Sequence, residues 1–307
     1  MNNKDTVAVC SRSFSNNKIL REELKSKYKN VKFNDQGLVF DKESLINFLQ
    51  GSTKAIVGLE IIDYDVLSKL PNLKLISKYG VGLDMIDLEA LKKLNVQLGW
   101  TGGVNRRSVS EMVIAIAVSL LREIPQSNKD IHNRIWKQRV GGLLSEKKIG
   151  VIGCGHIGKD LISLLQPWGC AFQVYDIASY PDFYKKYNVH PVDLDTLLKT
   201  SDIVTLHVPL DETTQNILSY EKLEMLKEGA IIINLARGGL VDEDALKKFL
   251  MSGRIFAAAF DVFANEPPQD FELINLENFL STSHIGGSAR EAILAMGRSA
   301  IKNLEIK

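Results

Sequence analysis

The plainest chemical signal is a glycine loop. Lys148-Ile-Gly-Val-Ile152 reads as an apolar strand, Gly153-Cys-Gly155-His-Ile-Gly158 follows it directly, and Lys159 to Leu165 reads as a helix. G-x-G-x-x-G in that setting cradles a pyrophosphate: Gly153 permits the tight turn, Gly155 lets the backbone approach the phosphates, and Gly158 lets strand and helix pack closely. The helix amides then face the anion, with His156 and Ile157 beside the cofactor and no chemistry assigned to His156. Taken alone, the same glycines are also what a bare turn needs. A strand ending at Asp176, 18 residues beyond Gly158, supplies the second half of the signal. A carboxylate there accepts hydrogen bonds from both ribose hydroxyls of an adenosine and repels a 2′-phosphate. Ile177 and Ala178 bring no cation to offset it, so the expected cofactor is NAD rather than NADP.

The other reactive side chains argue mostly by what they exclude. Cys10, Cys154 and Cys170 are an odd set without metal-ligand spacing, which fits a reducing compartment and gives neither a disulfide framework nor a zinc site. Cys154 stands at the start of the expected helix, where a thiol can be acidified, so a redox role is open beside the plainer one of filling space. His132, His156, His190, His207 and His284 are too scattered to pair on a metal, and none is expected.

These groups need a frame, and the hydrophobic pattern provides one. Apolar runs at Thr6–Cys10, Ala55–Leu59, Leu73–Ser77 and Val96–Trp100 form one series of strands. Lys148–Ile152, Phe172–Tyr175, Ile203–His207, Ala230–Asn234, Ile255–Ala259 and Phe279–Thr282 form a second. Amphipathic stretches separate the runs, which predicts an α/β protein. Between the series lie two expected helices, roughly Ser108–Arg122 and Gln126–Trp136, joined through Pro125. A last helix, Ala289–Leu304, has to pack on something already built; the first lobe is the natural surface, and that domain is then discontinuous.

With 307 residues, 45% of them hydrophobic, the chain can bury the cores of two ordinary domains. Thirty-eight Lys and Arg against 37 Asp and Glu leave no basic excess for a nucleic-acid backbone, so a small-molecule partner is expected. Met1–Asp5 lacks the pattern of a signal peptide, and the longest apolar stretch, Met112–Leu121, is too short to span a bilayer. A cytoplasmic protein without a membrane partner is the expectation.

Beyond the glycine loop come four ordered segments: Leu206-His-Val-Pro-Leu-Asp-Glu-Thr-Thr214, Ile233-Asn-Leu-Ala-Arg237-Gly-Gly-Leu-Val-Asp242, Asp261-Val-Phe-Ala-Asn-Glu266-Pro267 and Ser283-His284-Ile-Gly-Gly287. Together with Tyr79-Gly-Val-Gly82-Leu-Asp84 and Gly103-Val-Asn105 they resemble the D-isomer-specific 2-hydroxyacid dehydrogenases, from about residue 50 to near the end. Asn105-Arg-Arg-Ser-Val-Ser-Glu111, Tyr175-Asp176-Ile177 and Leu206-His207-Val-Pro209 are most similar to phosphoglycerate dehydrogenases within that family. The resemblance implies two Rossmann-like domains: an NAD-binding domain, 101–287, inserted into a substrate domain formed by 1–100 and 288–307, with the active site in the cleft between them.

Hydride transfer at C2 of a small D-2-hydroxy acid needs a cation for the carboxylate, a proton donor or acceptor at the C2 oxygen, and a nicotinamide nearby. By resemblance the cation is Arg237, whose planar fork a Lys could not copy. His284 is then the acid/base and Glu266 the carboxylate that favours its imidazolium and fixes its ring. The resemblance also implies cofactor contacts at His207, Pro209, Ala236, Asp261 and Gly286, with Asp261 on the nicotinamide carboxamide. For His207, a ring near the adenine and a core-facing or solvent-facing ring stay equally open. Substrate contacts are implied at Lys78, Val81, Gly82, Asn105 and Arg237; the glycines around Val81 equally suit a simple turn.

Three departures bear on the substrate and its control. Gly102 stands where the family usually has Pro. Glu60 lies where phosphoglycerate enzymes carry a basic residue, and it would repel a phosphate that Lys78 and Arg106 could otherwise hold. The sequence ends at Lys307, soon after the terminal helix, so serine control through an additional domain is not expected. 3-Phosphoglycerate leads the expected substrates, with glyoxylate or hydroxypyruvate next, and a homodimer is expected with Met112–Leu121 as one candidate interface element. The rival readings are an NADH-sensing protein like the corepressors that resemble this family, against which the lack of a long disordered tail counts, and an oxidase of formate or phosphite, of which Glu266 counts against formate.

Overall fold

The computed structural model describes residues 2–305. The chain divides into two compact units, Met1–Asn105 with Ala289–Lys307, and Arg106–Ser288.

In the first unit the strands are β1 (Asn2–Val9), β2 (Tyr28–Phe33), β3 (Lys54–Val57), β4 (Leu75–Lys78) and β5 (Gln97–Gly99). They pair in parallel in the order β2-β1-β3-β4-β5, a doubly wound sheet. Alternation along β1 sorts the two cores. Ala8 and Cys10 join Ala55, Val57 and Ile76 beneath helices Lys42–Leu49, Tyr64–Ser68 and Leu88–Lys93. Val7 and Val9 join Ile56 and Leu75 beneath Lys18–Lys27 and the last helix, Arg290–Asn303. That last helix is tied down at its far end, where Ser77 Oγ donates to the Ala300 carbonyl at 2.7 Å and the Tyr28 hydroxyl to that of Leu304 at 3.2 Å.

The second unit holds β6 (Lys148–Ile152), β7 (Ala171–Tyr175), β8 (Val189–Pro191), β9 (Ile203–Leu206), β10 (Ala230–Asn234), β11 (Ile255–Phe260) and β12 (Phe279–Ser281). All pair in parallel, ordered β12-β11-β10-β9-β6-β7-β8. Strand order reverses between β6 and β9, and in open α/β sheets the carboxyl ends of the strands at such a point form the ligand crevice. Helices Arg106–Leu121 and His156–Leu165 bury Val113, Ile116, Leu161 and Ile162 against Ile149, Val151, Ile231 and Ile233 on one face. Leu197, Leu223 and Leu246, from three further helices, cover Ile152, Val204, Ile232 and Phe260 on the other. The first two helices are also joined by a bidentate ion pair, Arg107 to Asp160 at 2.9 and 3.0 Å, in which the carboxylate is buried.

Two sequence readings need correction. β2 and β8 are edge strands that the apolar pattern does not reveal: β2 buries only Tyr28 and Phe33 and turns Lys29 and Lys32 outward, and β8 ends on an exposed Pro191. The helix expected at Gln126–Trp136 runs from Ile124 to His132, with Pro125 in its first turn rather than joining two helices. Arg134, left-handed at φ 61, turns the chain away, and Trp136 follows in an irregular segment. Arg139 pins that segment back through Asp130 at 2.9 Å and Glu123 at 2.5 Å. Among the described residues no helix is long and apolar enough to cross a membrane.

Candidate active site

The glycine loop leaves β6 at the point where strand order reverses, and each glycine is there for a different reason. Gly153 has φ 99, and a Cβ on it would lie 2.7 Å from the His207 carbonyl oxygen. A Cβ on Gly158 would overlap the Gly153 carbonyl, so the helix could not sit this close to the strand. A Cβ on Gly155 would meet nothing within 4 Å; that glycine keeps open the space into which the helix amides point, which is where a pyrophosphate fits. His156 is exposed at the first helical position and Ile157 is half-buried beside it.

Asp176 closes the shoulder of the loop. Its carboxylate accepts the Cys154 N–H at 2.6 Å and the Ala178 N–H at 2.7 Å, so it stabilises the loop. Ile177 next to it is fully exposed. Burial pushes the Cys154 thiol up to about 11, against the pull of Lys159, so the redox role that the helix terminus left open is not supported and Cys154 fills space. His207 leaves β9 with Nε2 3.0 Å from Thr205 Oγ1 and a buried Nδ1 that makes no hydrogen bond; burial holds its ring down at about 3, neutral at any working pH. Pro209 and Leu210 after it are exposed.

Arg237 lies on the turn after β10, and the turn is shaped by Asn234. The fully buried Asn234 amide accepts the Ala236 N–H at 3.1 Å and donates to the Arg237 carbonyl at 2.8 Å. The guanidinium donates to the Ala236 carbonyl at 2.6 Å. Gly238 follows because a Cβ there would land inside the Phe263 backbone, which brings the Arg237 turn against the loop after β11.

That loop carries Glu266. One carboxylate oxygen accepts the Phe263 N–H at 3.2 Å and the other lies 2.9 Å from His284 Nδ1. The loop is held in turn by Glu243, which accepts the Ala264 N–H at 2.9 Å. His284, just beyond β12, is left-handed at φ 55. Asp261, at the end of β11, takes the His284 N–H on its carbonyl at 2.9 Å, while its buried carboxylate accepts the Gly286 N–H at 2.7 Å. Strand ends of one sheet thus carry the glycine loop, Asp176, Arg237, Asp261 and His284. Asn234, Glu243 and Gly238 were not singled out from the sequence, although a strand-end Asn before a tight turn is a recognisable Asx signal.

Of the residues expected to bind substrate, Lys78, Val81, Gly82 and Asn105 lie in the first unit and Arg237 in the second. Lys78 is buried and its ammonium donates to the Gly58 carbonyl, while the Gly58 N–H is accepted by Glu60 at 2.5 Å. The Val81 carbonyl takes the Trp100 indole N–H at 3.0 Å, Gly82 is half-buried, and Asn105 is buried.

Residues 114–286 match the D-isomer specific 2-hydroxyacid dehydrogenase NAD binding domain. The chain belongs to the D-isomer specific 2-hydroxyacid dehydrogenase family. It is 36% identical to the hydroxypyruvate reductase of Thermotoga maritima, over 78% of this chain and 79% of that protein. It is 38% identical to the D-3-phosphoglycerate dehydrogenase of Methanocaldococcus jannaschii over 83% of this chain, spanning half of that longer protein. The structure of the pyruvate reductase of Chlamydomonas reinhardtii superposes with a TM-score of 0.82 at 27% identity, covering 97% of this chain and 95% of that one. As a member of this family of oxidoreductases the chain has NAD as its cofactor, and the open space at Gly155 and the carboxylate at Asp176 fit it.

Proposed function

We propose that this dehydrogenase interconverts a short, unphosphorylated D-2-hydroxy acid and its 2-keto acid, of the hydroxypyruvate or glyoxylate kind. The observation that carries the chemistry is the 2.9 Å contact between Glu266 and His284 Nδ1 on the sheet edge that holds the glycine loop. With Nδ1 occupied by the carboxylate, Nε2 is the nitrogen that exchanges a proton with the C2 oxygen: protonated His284 gives it during reduction and neutral His284 takes it during oxidation. Arg237 binds the substrate carboxylate and polarises the C2 oxygen with a fork of donors. Bound NAD supplies the hydride acceptor, and its reduced form the donor, at C2. Unit 106–288 serves as the NAD-binding domain and the remainder as the substrate domain, which offers Lys78, Val81, Gly82 and Asn105.

The preference against a phosphorylated substrate rests on one peptide group. Glu60 and Lys78 bracket Gly58, one accepting its N–H and the other donating to its carbonyl, so the ammonium that could meet a phosphate is committed beside a carboxylate that repels one. 3-Phosphoglycerate is the second reading, favoured by the similarity to phosphoglycerate dehydrogenases. NADH oxidation with glyoxylate, hydroxypyruvate and phosphohydroxypyruvate at equal concentration decides between them. Equal or better turnover of the phosphorylated acid overturns the preference, and turnover that survives His284→Ala overturns the proposed chemistry.

We further propose a cytoplasmic homodimer. Support comes from the three cysteines, all free, and from Trp136 and Val140, 84% and 92% exposed on a segment that Arg139 holds in place. A groove of about 180 Å³ on the same unit is lined by Val118, Leu121, Arg122, Leu143, Ser145 and Trp168. Sedimentation of the protein and of Trp136→Glu tests it; a wild-type monomer overturns it.

A further inference from the structure

A lysine in the first turn of a helix stands at the wrong end of the helix dipole. Lys159 is the fourth residue of helix His156–Leu165, and no acidic residue in that turn offsets its charge. Among the described residues its ammonium meets rings instead of carboxylates: Nζ stands 3.2 Å from the centroid of Tyr180 and 5.9 Å from that of Phe183. A cation over the face of an aromatic ring is attracted by the ring's quadrupole, the more so the less water reaches it. Lys159 and Tyr180 are both half-buried.

The ring is itself fixed. Tyr180 stands directly before helix Pro181–Tyr187, and its carbonyl accepts the Tyr184 N–H at 3.0 Å. The buried Tyr184 ring meets it edge-on, with centroids 6.2 Å apart and planes at 84°. Asp176 lies four residues before Tyr180 and has both carboxylate oxygens on the backbone, Oδ2 on the Cys154 N–H and Oδ1 on that of Ala178. Beyond burial, which raises both groups, the Asp176 charge raises the Tyr180 hydroxyl and the Cys154 thiol, while Lys159 lowers the thiol. Carboxylate, ring and ammonium thus share one neighbourhood at the shoulder of the glycine loop, and the ammonium is on the ring.

We propose that Tyr180 withholds Lys159 from the cofactor's adenosine ribose and is thereby a second determinant, beside Asp176, of NADH over NADPH. The proposal rests on Asp176 being the ribose carboxylate. A 2′-phosphate needs a cation to meet it and no carboxylate in its place. Asp176 supplies the repulsion, and the Tyr180 ring engages an ammonium that would otherwise attract the phosphate. Selectivity built from a repulsive element and a withheld attractive one is lost in two separable steps.

Titration of the nucleotide's own fluorescence gives Kd for NADPH and NADH without turnover. In an Asp176→Ala background, Tyr180→Leu should lower Kd for NADPH by about threefold to thirtyfold, the range a cation–π contact is worth from exposed to desolvated sites, with Kd for NADH within about twofold. Tyr180→Phe keeps the ring and should leave both values where Asp176→Ala put them. Adding Lys159→Met should cancel the gain from Tyr180→Leu, because both act through one ammonium. No gain in the leucine variant, an equal gain in the phenylalanine variant, or a gain that survives Lys159→Met overturns the proposal; the last would mean that the missing ring merely makes room. Where Tyr180→Leu is not folded by circular dichroism, Tyr180→Thr, which places a favoured capping residue before the helix, goes through the same cycle with the same criteria. Acetic anhydride labelling of the cofactor-free protein, read by mass spectrometry, keeps this test separate from the assignment of Asp176: Lys159 should label faster in Tyr180→Leu than in the parent or in Tyr180→Phe. If it does not, the ring does not hold the ammonium and the proposal fails. If it does while Asp176→Ala leaves the ratio of the two Kd values at the parent's, it is the ribose assignment of Asp176 that falls, and the proposal with it.

Discussion

The carboxylate of Glu266 meets Nδ1 of His284 at 2.9 Å although the two stand 18 residues apart, one on the loop after β11 and the other just beyond β12. Both side chains are about half exposed, 40% and 49%, so water and salt screen the pair. Glu266→Gln keeps an atom that can meet Nδ1 and removes the negative charge beside the ring. kcat/KM should fall both for keto-acid reduction and for hydroxy-acid oxidation, with Kd for NADH nearly unchanged. Steady-state kinetics in each direction check this; rates that match the parent in both remove Glu266 as the partner of His284.

Arg237→Lys exchanges a planar fork for a point charge on a turn that Asn234 shapes. The expected loss in kcat/KM for the keto acid corresponds to about 2–4 kcal/mol of transition-state stabilisation, with NADH affinity nearly unchanged. Asn234→Ala leaves the Ala236 N–H and the Arg237 carbonyl without their partner and should lower stability by about 1–3 kcal/mol in urea unfolding while weakening the same kcat/KM. Unchanged kinetics in both variants would take Arg237 out of the site.

Asp176→Ala should narrow the preference for NADH over NADPH, because the repelling carboxylate is gone. The structure adds a second effect. The Cys154 and Ala178 N–H groups lose their acceptor, so NADH itself should bind less tightly. Competitive titration with both cofactors reads the two effects separately, and a parent enzyme that uses both equally contradicts the assignment of Asp176.

How much of this was legible from the chain depends on which residues carry the information. β6, β9, β10 and, apart from the exposed Phe256, β11 are buried on both faces and read as mostly apolar runs, so the second sheet and the strand ends bearing Gly153, Arg237 and Asp261 were visible. β2 and β8 lie at sheet edges, where Lys and Pro are tolerated, and the pattern broke there. Glu266 and His284 were found by resemblance to a family, not by spacing, because their contact depends on two loops crossing from neighbouring strands. The left-handed turn at His284 and the backbone bonds to Asp261 leave no mark on residue type, apart from Gly286, whose missing Cβ makes room for the carboxylate.

His207 supplies a prediction that needs no substrate. Its Nδ1 is buried without a hydrogen bond, its Nε2 meets Thr205, and burial lowers the ring to about 3, against an ordinary value of 6.5. Well above pH 6.5 the ring is neutral in folded and unfolded chains alike and contributes nothing to the pH dependence. As pH falls from 6.5 towards 3 the unfolded chain takes up a proton that the folded chain refuses, so stability is lost across that window and the loss stops once the folded ring also protonates. His207→Gln has no proton to take up, while every other titrating group is shared by the two proteins and cancels in the difference. Relative to the parent, the variant should therefore gain stability steadily as pH is lowered from about 6.5 to 4, whatever offset separates them at neutral pH, the offset being set by packing and by the bond to Thr205. Urea midpoints for the two proteins at half-unit pH steps measure the difference, and parallel curves would mean that the ring reaches water and is protonated in the folded protein as readily as in the unfolded chain.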